Sequence, residues 1–246
     1  MTLLRPLIVF AGLLLVWQLV VWISGAPPYL LPGPGRVAAA WFDHAGLIAG
    51  HAVVTFAEIL MGLALGTMLG AASALCLAYF RPARLWLMPL LVISQAVPVF
   101  ALAPLLVLWF GYGMASKVAM AVLIIYFPVT ASFFDGLRRT DPGWLDLGHT
   151  MNGARWATLR HIRLPAALPA FASGLRVATA VAPIGGVVGE WVGASAGLGY
   201  LMLHANGRMQ IDLMFAGLFT LALFAVALYF TIDSILRRAL SWQADD

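Results

Sequence analysis

Long apolar segments separated by short polar stretches constrain the fold of this chain more than any other feature. Each is long enough to cross the hydrocarbon core of a bilayer as a helix, which takes about 20 residues. Because lipid offers no partner for the backbone of an exposed strand, the sequence predicts an all-α polytopic membrane protein with six transmembrane helices. The predicted spans cover about residues 6–24, 52–79, 86–110, 116–137, 167–193 and 211–235.

The composition agrees with a membrane location. Hydrophobic residues make up 63% of the chain, charged residues only 10%, and the mean hydropathy is +0.95. A soluble domain has about a quarter of its residues charged, so the lipid bilayer is the predicted surrounding. The basic residues are spread over short loops, which excludes a nucleic-acid interface. The single cysteine, Cys76, and five histidines without ligand spacing predict no disulfide framework, no metal and no cofactor.

The first apolar segment also has features of a signal peptide, since Arg5 precedes it and small residues follow it. Its apolar run, residues 7–23, is longer than a usual signal core, and more spans follow. We therefore expect a retained helix. The Pro- and Gly-rich stretch after it, "PPYLLPGPGR", predicts an extended connector. The predicted regions are a first helix with its external connector (1–50), a transmembrane core (51–240) and a tail (241–246).

The distribution of basic residues predicts the orientation. With the N-terminus inside, ten arginines fall on interior segments and three basic residues on exterior ones, in line with the positive-inside rule. Both termini and the longest connection, residues 138–165, are then cytoplasmic. The interior set is Arg5, Arg81, Arg84, Arg138, Arg139, Arg155, Arg160, Arg163, Arg237 and Arg238, and the exterior set is Arg36, Lys117 and Arg208.

Glu58 is a charged residue within the second predicted span, where a charge costs a few kcal/mol or more. Gly62, Gly66 and Gly70 follow it at steps of four, a repeated GxxxG pattern that predicts close helix packing. Glu58 lies one turn before Gly62 on the same stripe, so we expect it to face protein. A structural hydrogen bond and a role in a solute path are both open for it.

The fifth predicted span contains Arg176 and Glu190. Fourteen residues at about 100° each place the two on one face, about 21 Å apart along the helix. Arg176 either extends to the inner surface or belongs to the path. Glu190 is surrounded by glycines and is the stronger candidate for a residue near a translocation path. In the last span, Asp233 and Arg237 stand four residues apart, which predicts an interfacial ion pair.

No nucleotide-binding loop is present, because its GxxxxGK[ST] pattern needs a lysine and the single lysine, Lys117, is not in that context. The chain is therefore not expected to be an ATP-hydrolysing enzyme. If nucleotide drives transport, it binds another protein. An ion-coupled secondary transporter that uses Glu58 and Glu190 is an alternative. An intramembrane enzyme would need a nucleophile and base, for which Ser195 and His204 are the nearest pair.

The connection 138–165 has helical periodicity in its apolar residues. Asp141 before Pro142 predicts a helix start, and Pro165 predicts the end of the segment. Asn152 and Gly153 in the middle leave one helix or two short helices open. Two functions are also open, a helix lying on the inner leaflet and a docking element for a soluble partner. The stripe is mostly apolar, although Arg155 intrudes on it, and consists of Trp144, Leu147, Met151, Ala154, Thr158 and Ile162.

Residues 146–165 resemble the cytoplasmic loop of ABC importer permeases. That loop has the pattern Glu-Ala-Ala, three residues, Gly, nine residues, Ile, any residue, Leu-Pro. Asp146 takes the Glu position and Asn152 the Gly position, without a gap. Leu147 and Gly148 replace the two alanines. The residues that the resemblance assigns to ATPase coupling are Asp146, Leu147, Gly148, Asn152, Gly153, Arg155, Trp156, Ile162, Leu164 and Pro165.

The resemblance extends to "LPGPGRV" and "VVGEWVGASAGLGYLM", which are similar to permeases for nitrate, taurine, alkanesulfonates and thiamine-precursor pyrimidines. It implies the type I importer permease fold in the bacterial inner membrane. It also implies two permease copies, two cytoplasmic ATPases on the loop and an external substrate-binding protein. "GLGYLMLHANGRMQIDLMFAGL" and Glu58 are most similar to the pyrimidine branch, so a hydroxymethylpyrimidine-type thiamine precursor is the expected solute. Taurine, alkanesulfonate and nitrate are the alternatives.

Overall fold

The computed structural model describes residues 4–94 and 96–242, apart from the side chains of residues 4–7, 81 and 90. The side chain of Arg5 and the end of the predicted tail, residues 243–246, lie outside this part. Within it every regular element is a helix, which confirms the all-α prediction. The helices are α1 (Leu4–Ser24), α2 (Pro34–Asp43), α3 (Ala45–Tyr79), α4 (Arg81–Ser94), α5 (Ala103–Phe110), α6 (Met114–Arg138), α7 (Pro142–Thr150), α8 (Arg155–Thr158), α9 (Leu164–Trp191), α10 (Leu198–Gly207) and α11 (Ile211–Ala239).

Four helical stretches are long and apolar enough to cross a bilayer by themselves, namely α3, α6, the continuous stretch Arg155–Trp191 and α11. The apolar part of α1, Ile8–Ser24, is at the short limit for a span. The prediction of one helix over residues 86–110 is wrong. Residues Pro82–Ser94 and Val99–Phe110 form two helices bent by 93°, and they count as a fifth span only together. Pro98 lies at the break with extended backbone, and proline disfavours helical conformation in Val97 before it.

One compact unit contains the chain up to residue 55 and residues 195–223. Trp17 of α1 stacks on Phe215 and Phe219 of α11 at ring-centroid distances of 5.8 and 5.7 Å. The indole N–H of Trp41 in α2 donates to the hydroxyl of Thr220 at 2.9 Å. These contacts attach the first two helices to the start of α11.

The connections of this unit are more helical than predicted. The expected connector "PPYLLPGPGR" ends in α2, which begins at Pro34, and the second predicted span begins earlier, at Ala45. The connection after α9 contains α10, whose first backbone N–H groups are held by α3 side chains. The N–H of Leu198 donates to the hydroxyl of Thr55 at 2.7 Å, and that of Gly197 donates to His51 Nδ1 at 3.0 Å.

The second unit contains residues 56–194 and those from 224 onward. Its centre is the packing of α6 against α9, with α3 close beside them. Large side chains such as Ile125 and Phe134 are almost wholly buried, and the ring of Phe133 in α6 meets the ring of Phe171 in α9 edge to face at 5.0 Å. All of the predicted site residues belong to this unit.

Candidate functional site

The charged side chains in the middle of the second unit form a buried cluster. Glu58 of α3 has no exposed surface, and its carboxylate Oε1 lies 3.1 Å from the ammonium Nζ of Lys117 in α6. Lys117 is only 6% exposed. An ion pair so removed from solvent persists only when each charge has a close partner, so α3 and α6 are tied together at this level.

Glu190 of α9 completes the cluster. It is 1% exposed, and its carboxyl interacts electrostatically with that of Glu58. Two glycines bring α9 close enough. A Cβ on Gly185 would lie 2.7 Å from the Cα of Ala121, and one on Gly189 would lie 3.2 Å from the Cα of Lys117. The cluster therefore joins three helices and holds two carboxyl groups and one ammonium group.

The sequence analysis missed the role of Lys117, and its assignment to an exterior connection is wrong. The residue lies inside α6 and is buried. The helix begins three residues earlier, at Met114, and Lys117 also falls within the predicted span 116–137, at its very start. The signal that could have found it is charge balance, since Glu58 and Glu190 were two intramembrane acids without an assigned cation.

A second charged group lies between α9 and α11. The Nε of Arg176 donates to Asp233 Oδ1 at 2.6 Å, and the Nε of Arg237 donates to Asp233 Oδ2 at 2.8 Å. The predicted pair of Asp233 and Arg237 is thus present, and Arg176 joins it. Arg176 and Glu190, predicted to share a face of one helix, take part in separate charged groups.

The glycines of α3 lie directly against α6. A Cβ on Gly66 would come within 2.8 Å of Ile125 Cγ2, and one on Gly70 within 3.0 Å of the Val129 side chain. Gly62 is in similarly close contact with Ala121. The repeated GxxxG pattern thus lines the α3–α6 contact. Glu58 lies at the N-terminal end of this contact, one turn before Gly62.

The loop 138–165 begins with the predicted helix start. Asp141 is the N-cap of α7, and its carboxylate accepts a hydrogen bond from the N–H of Gly143 at 2.7 Å, with Pro142 in the first turn. The structure resolves the open choice between one helix and two, because α7 ends at Thr150 and α8 begins at Arg155.

Asn152 ends α7 in a left-handed conformation, with φ of 55°. Its N–H donates to the carbonyl of His149 at 2.9 Å, and the N–H of Gly153 donates to that of Gly148 at 2.9 Å. These two bonds form a Schellman motif, in which glycine is most common and asparagine is tolerated. Asparagine at the glycine position of the importer pattern therefore keeps the backbone conformation.

Gly148, at the second alanine position of the pattern, is buried in the loop. A Cβ there would lie 2.9 Å from Ile162 Cδ1, the end of a flexible side chain, so α7 lies close to the segment before α9 at this residue. The expectation that Pro165 ends this segment is wrong. A π-helical turn, Leu159–Arg163, joins α8 to α9, and the helix continues through Leu164 and Pro165 to Trp191. Proline is accommodated because the regular hydrogen-bond ladder is already interrupted there.

The outer face of α7 is exposed and largely apolar. Trp144, Leu147 and Met151 are 55%, 59% and 75% exposed, and Asp146 is exposed beside them. Next to α7, a cavity of about 610 Å³ is lined by Trp144, Leu147, Ile162 and Pro165, among others. A contiguous apolar face of this kind is typical of an interaction surface.

Arg155 and Trp156 of α8 attach the loop to the end of α3. Arg155 Nη2 donates to the carbonyl of Tyr79 at 3.1 Å, and the guanidinium lies 5.6 Å from the centre of the Tyr79 ring. Trp156 meets the same ring edge to face at 6.1 Å. The loop is therefore braced against a membrane-spanning helix.

Ser195 lies in a Gly-x-Ser-x-Gly sequence, residues 193–197, which in hydrolases marks a nucleophile on a turn between strand and helix. Here the preceding element is helix α9, and a loop separates it from α10. In the part of the chain that the structure describes, no strand precedes Ser195 as such a turn requires. Among the described residues, no group of three or more His, Cys, Asp or Glu side chains could hold a metal ion.

Residues 62–241 match the family model for the inner membrane component of binding-protein-dependent transport systems. The chain belongs to this family, and it is a membrane permease of the ABC transporter class. The ATPase of such a system is a separate subunit, and a substrate-binding protein is its other partner. Membership in this family decides against the ion-coupled transporter and the intramembrane enzyme.

Four relatives show how the chain is placed within the family. It is 58% identical to a probable ABC transporter permease of Haemophilus influenzae over 96% of both chains. It is 36% identical to the formylaminopyrimidine permease ThiX of Halalkalibacterium halodurans, over 98% of this chain and 96% of the relative. The riboflavin permease RibX of Chloroflexus aurantiacus is also 36% identical, over 94% and 87%. The taurine permease TauC of Escherichia coli is 27% identical, over 96% and 88%.

Among solved structures, an inward-facing form of the methionine ABC transporter MetNI matches with a TM-score of 0.68. The match covers 80% of this chain and 97% of that chain at 19% sequence identity. This confirms the importer permease fold.

Proposed function

We propose that this permease carries a formylaminopyrimidine- or hydroxymethylpyrimidine-type thiamine precursor into the cell, driven by ATP hydrolysis on a partner subunit. The observation that carries the solute proposal is the 36% identity to the formylaminopyrimidine permease along almost the whole of both chains. The taurine permease is 27% identical over a similar length.

Riboflavin is the second candidate solute, because the riboflavin permease is as similar as the pyrimidine permease. Riboflavin and the pyrimidine precursor both contain a planar nitrogen heterocycle, but riboflavin is much larger. Uptake into proteoliposomes that contain the permease, its ATPase and its binding protein distinguishes them. We expect ATP-dependent uptake of labelled formylaminopyrimidine and none of taurine. Uptake of riboflavin alone would refute the pyrimidine proposal, and uptake without ATP would refute the ATP-driven mechanism.

We propose further that the loop 138–165 docks the ATPase through the exposed face of α7. The apolar side chains of Trp144, Leu147 and Met151 supply the contact area, and Asp146 adds a charge at its edge. The Schellman end at Asn152 and Gly153 fixes where α7 stops. Ile162, Leu164 and Pro165 continue into α9 as one helix, so a displacement of α7 is transmitted into the membrane.

The docking proposal is tested with Leu147→Ala and Trp144→Ala combined. We expect loss of ATPase co-purification and of uptake, with unchanged yield of the permease. Trp22→Ala is the matched control, since Trp22 of α1 is an exposed tryptophan far from the loop in sequence. Normal co-purification of the double variant would refute docking on this face.

The three path candidates, Glu58, Arg176 and Glu190, are proposed to act through helix position. Glu58 and Glu190 are buried within one chain, and Arg176 is engaged by Asp233, so none presents its charge to a solute in this structure. Their pairs hold α3, α6, α9 and α11 where they border the path. Substitution of Glu190 by Gln should then change the uptake rate for every solute alike, and a change in solute preference would contradict this role.

We propose that two copies of the chain enclose the path. A single chain offers a small number of spanning helices, and closed two-fold symmetry is the commonest arrangement of identical subunits. The mass of the permease complex in nanodiscs, measured by native mass spectrometry, tests this. One copy per complex, or a second different permease, would refute the homodimer.

A further inference from the structure

A cavity of about 520 Å³ lies where the end of α3 meets α4 and the loop 138–165. Its volume is within the range of about 300–1,000 Å³ that is typical of small-ligand pockets. The wall of the cavity includes loop residues that connect α7 to α9. The lining residues are Leu77, Ala78, Tyr79, Arg84, Leu145, His149, Gly153, Arg155, Thr158, Leu159 and Arg163.

The charge around this cavity is of one sign. Arg84, Arg155 and Arg163 line it together with His149, and no aspartate or glutamate is among the lining residues. None of the three arginines has a carboxylate within ion-pair distance in the part of the chain that the structure describes. Three guanidinium groups around one space repel each other unless an anion balances them.

The donors of these arginines are held in place but incompletely used. The Nε of Arg163 is buried and has no hydrogen-bond partner among the described residues, a condition that is rare for a buried donor. Arg155 is positioned by its bond to the carbonyl of Tyr79 and by the Tyr79 ring, and one guanidinium has five N–H groups. Donors thus remain for an oxyanion, for which arginine has the matching geometry.

Exposed apolar residues come directly after some of the lining residues in the sequence. Phe80 comes after Tyr79, and Leu85 and Trp86 come after Arg84, and all three are more than half exposed. Basic side chains beside an apolar and aromatic surface at the end of a membrane-spanning helix suit a ligand with a phosphate and acyl chains. A free phosphate would use the arginines alone.

We propose that this cavity binds the headgroup phosphate of an anionic phospholipid. Arg84, Arg155 and Arg163 hold the phosphate, and Phe80, Leu85 and Trp86 contact the acyl chains. The bound lipid braces the loop 138–165 against α3 and α4. Binding itself requires no assumption about transport, whereas an effect on coupling rests on the proposed docking of the ATPase to this loop.

The test uses the assembled complex in nanodiscs of phosphatidylcholine, with or without phosphatidylglycerol, and native mass spectrometry to count retained phosphatidylglycerol. Each arginine near the surface contributes about fivefold to the binding of anionic lipid, so Arg84→Gln with Arg163→Gln should weaken retention about 25-fold. Arg238→Gln is the control, because Arg238 is exposed and does not line the cavity. It should retain the lipid like the unmodified chain.

Equal retention by all variants would overturn the proposal. Inorganic phosphate is tested in pure phosphatidylcholine, and thermal stabilisation by phosphate without retention of phosphatidylglycerol would overturn the lipid assignment. Loss of the site whenever the ATPase is bound would show that an acidic surface of that subunit fills it, which also overturns the proposal. Because retention is read without transport, its failure is distinct from failure of the uptake assay.

Discussion

Replacing Lys117 by methionine tests whether the buried charge cluster holds α3, α6 and α9 together. The substitution keeps most of the side-chain volume and removes the ammonium group that lies 3.1 Å from Glu58. Two carboxyl groups, those of Glu58 and Glu190, then remain in the interior without a cation.

The expected cost follows from the geometry. At 3.1 Å and an effective dielectric constant of about 20, the attraction between the two charges is about 5 kcal/mol. Removal of one partner from a buried pair costs about 3–5 kcal/mol, because the other charge is left uncompensated. For a chain of 246 residues, this lowers the melting temperature by on the order of 10 °C.

Glu58→Gln is the matched comparison. It leaves one carboxyl group, Glu190, and one ammonium group, Lys117, so the formal charges balance, and the amide is a polar group of nearly the same size and shape as the carboxyl group. We expect a cost below about 2 kcal/mol. The double variant should be more stable than Lys117→Met alone, because it removes one of the two unpaired acids.

Thermal unfolding of the detergent-solubilised permease, followed by tryptophan fluorescence and size-exclusion chromatography, measures these differences. If the Lys117→Met variant has the same melting temperature as the unmodified chain, the reasoning is refuted. Costs of the two single substitutions that add within about 0.5 kcal/mol would also refute it, since independent sites behave in that way.

Three further predictions concern the helices around the site. Asn152→Gly should leave the melting temperature unchanged or raised, whereas Asn152→Ala should cost about 1–2 kcal/mol, because alanine is strained at positive φ; equal effects would argue against the Schellman end. Gly66→Ala should destabilise the chain by about 1–3 kcal/mol, because the added methyl group overpacks the contact with α6. Gly50→Ala is the control and should leave the stability unchanged, because Gly50 faces open space on the same helix. Equal melting temperatures of the two variants would disprove the close approach of α3 and α6. Asp233→Asn should lower the melting temperature more than Asp135→Asn, because Asp233 binds two arginines at short distance and Asp135 forms one 3.9 Å exposed pair; the reverse order would contradict this.

Much of the loop 138–165 was predictable because its determinants are local. The Asp141-Pro142 pair predicted the start of α7, and Asn152-Gly153 indicated a break in the middle while leaving one helix or two open, since capping depends on residues a few positions apart. The spacing from Asp146 to Pro165 carried the family resemblance in the same way. What happens after the loop was not predictable, because continuity through Pro165 depends on a π-helical turn that has no clear local signal.

The sequence by itself determined that the chain is helical, that it lies in a membrane and which family it resembles. These follow from hydropathy over some 20 residues and from short motifs, which are properties of contiguous chain. Only the tertiary structure decided which charges are partners. Glu58 and Lys117 are on different helices, as are Arg176 and Asp233. The sequence around a charged residue in a span does not indicate which distant residue neutralises its charge. The glycines of α3 predicted a close helix contact. Only the packing of the helices showed that α6 is the neighbour and that Lys117 of α6 is the partner of Glu58.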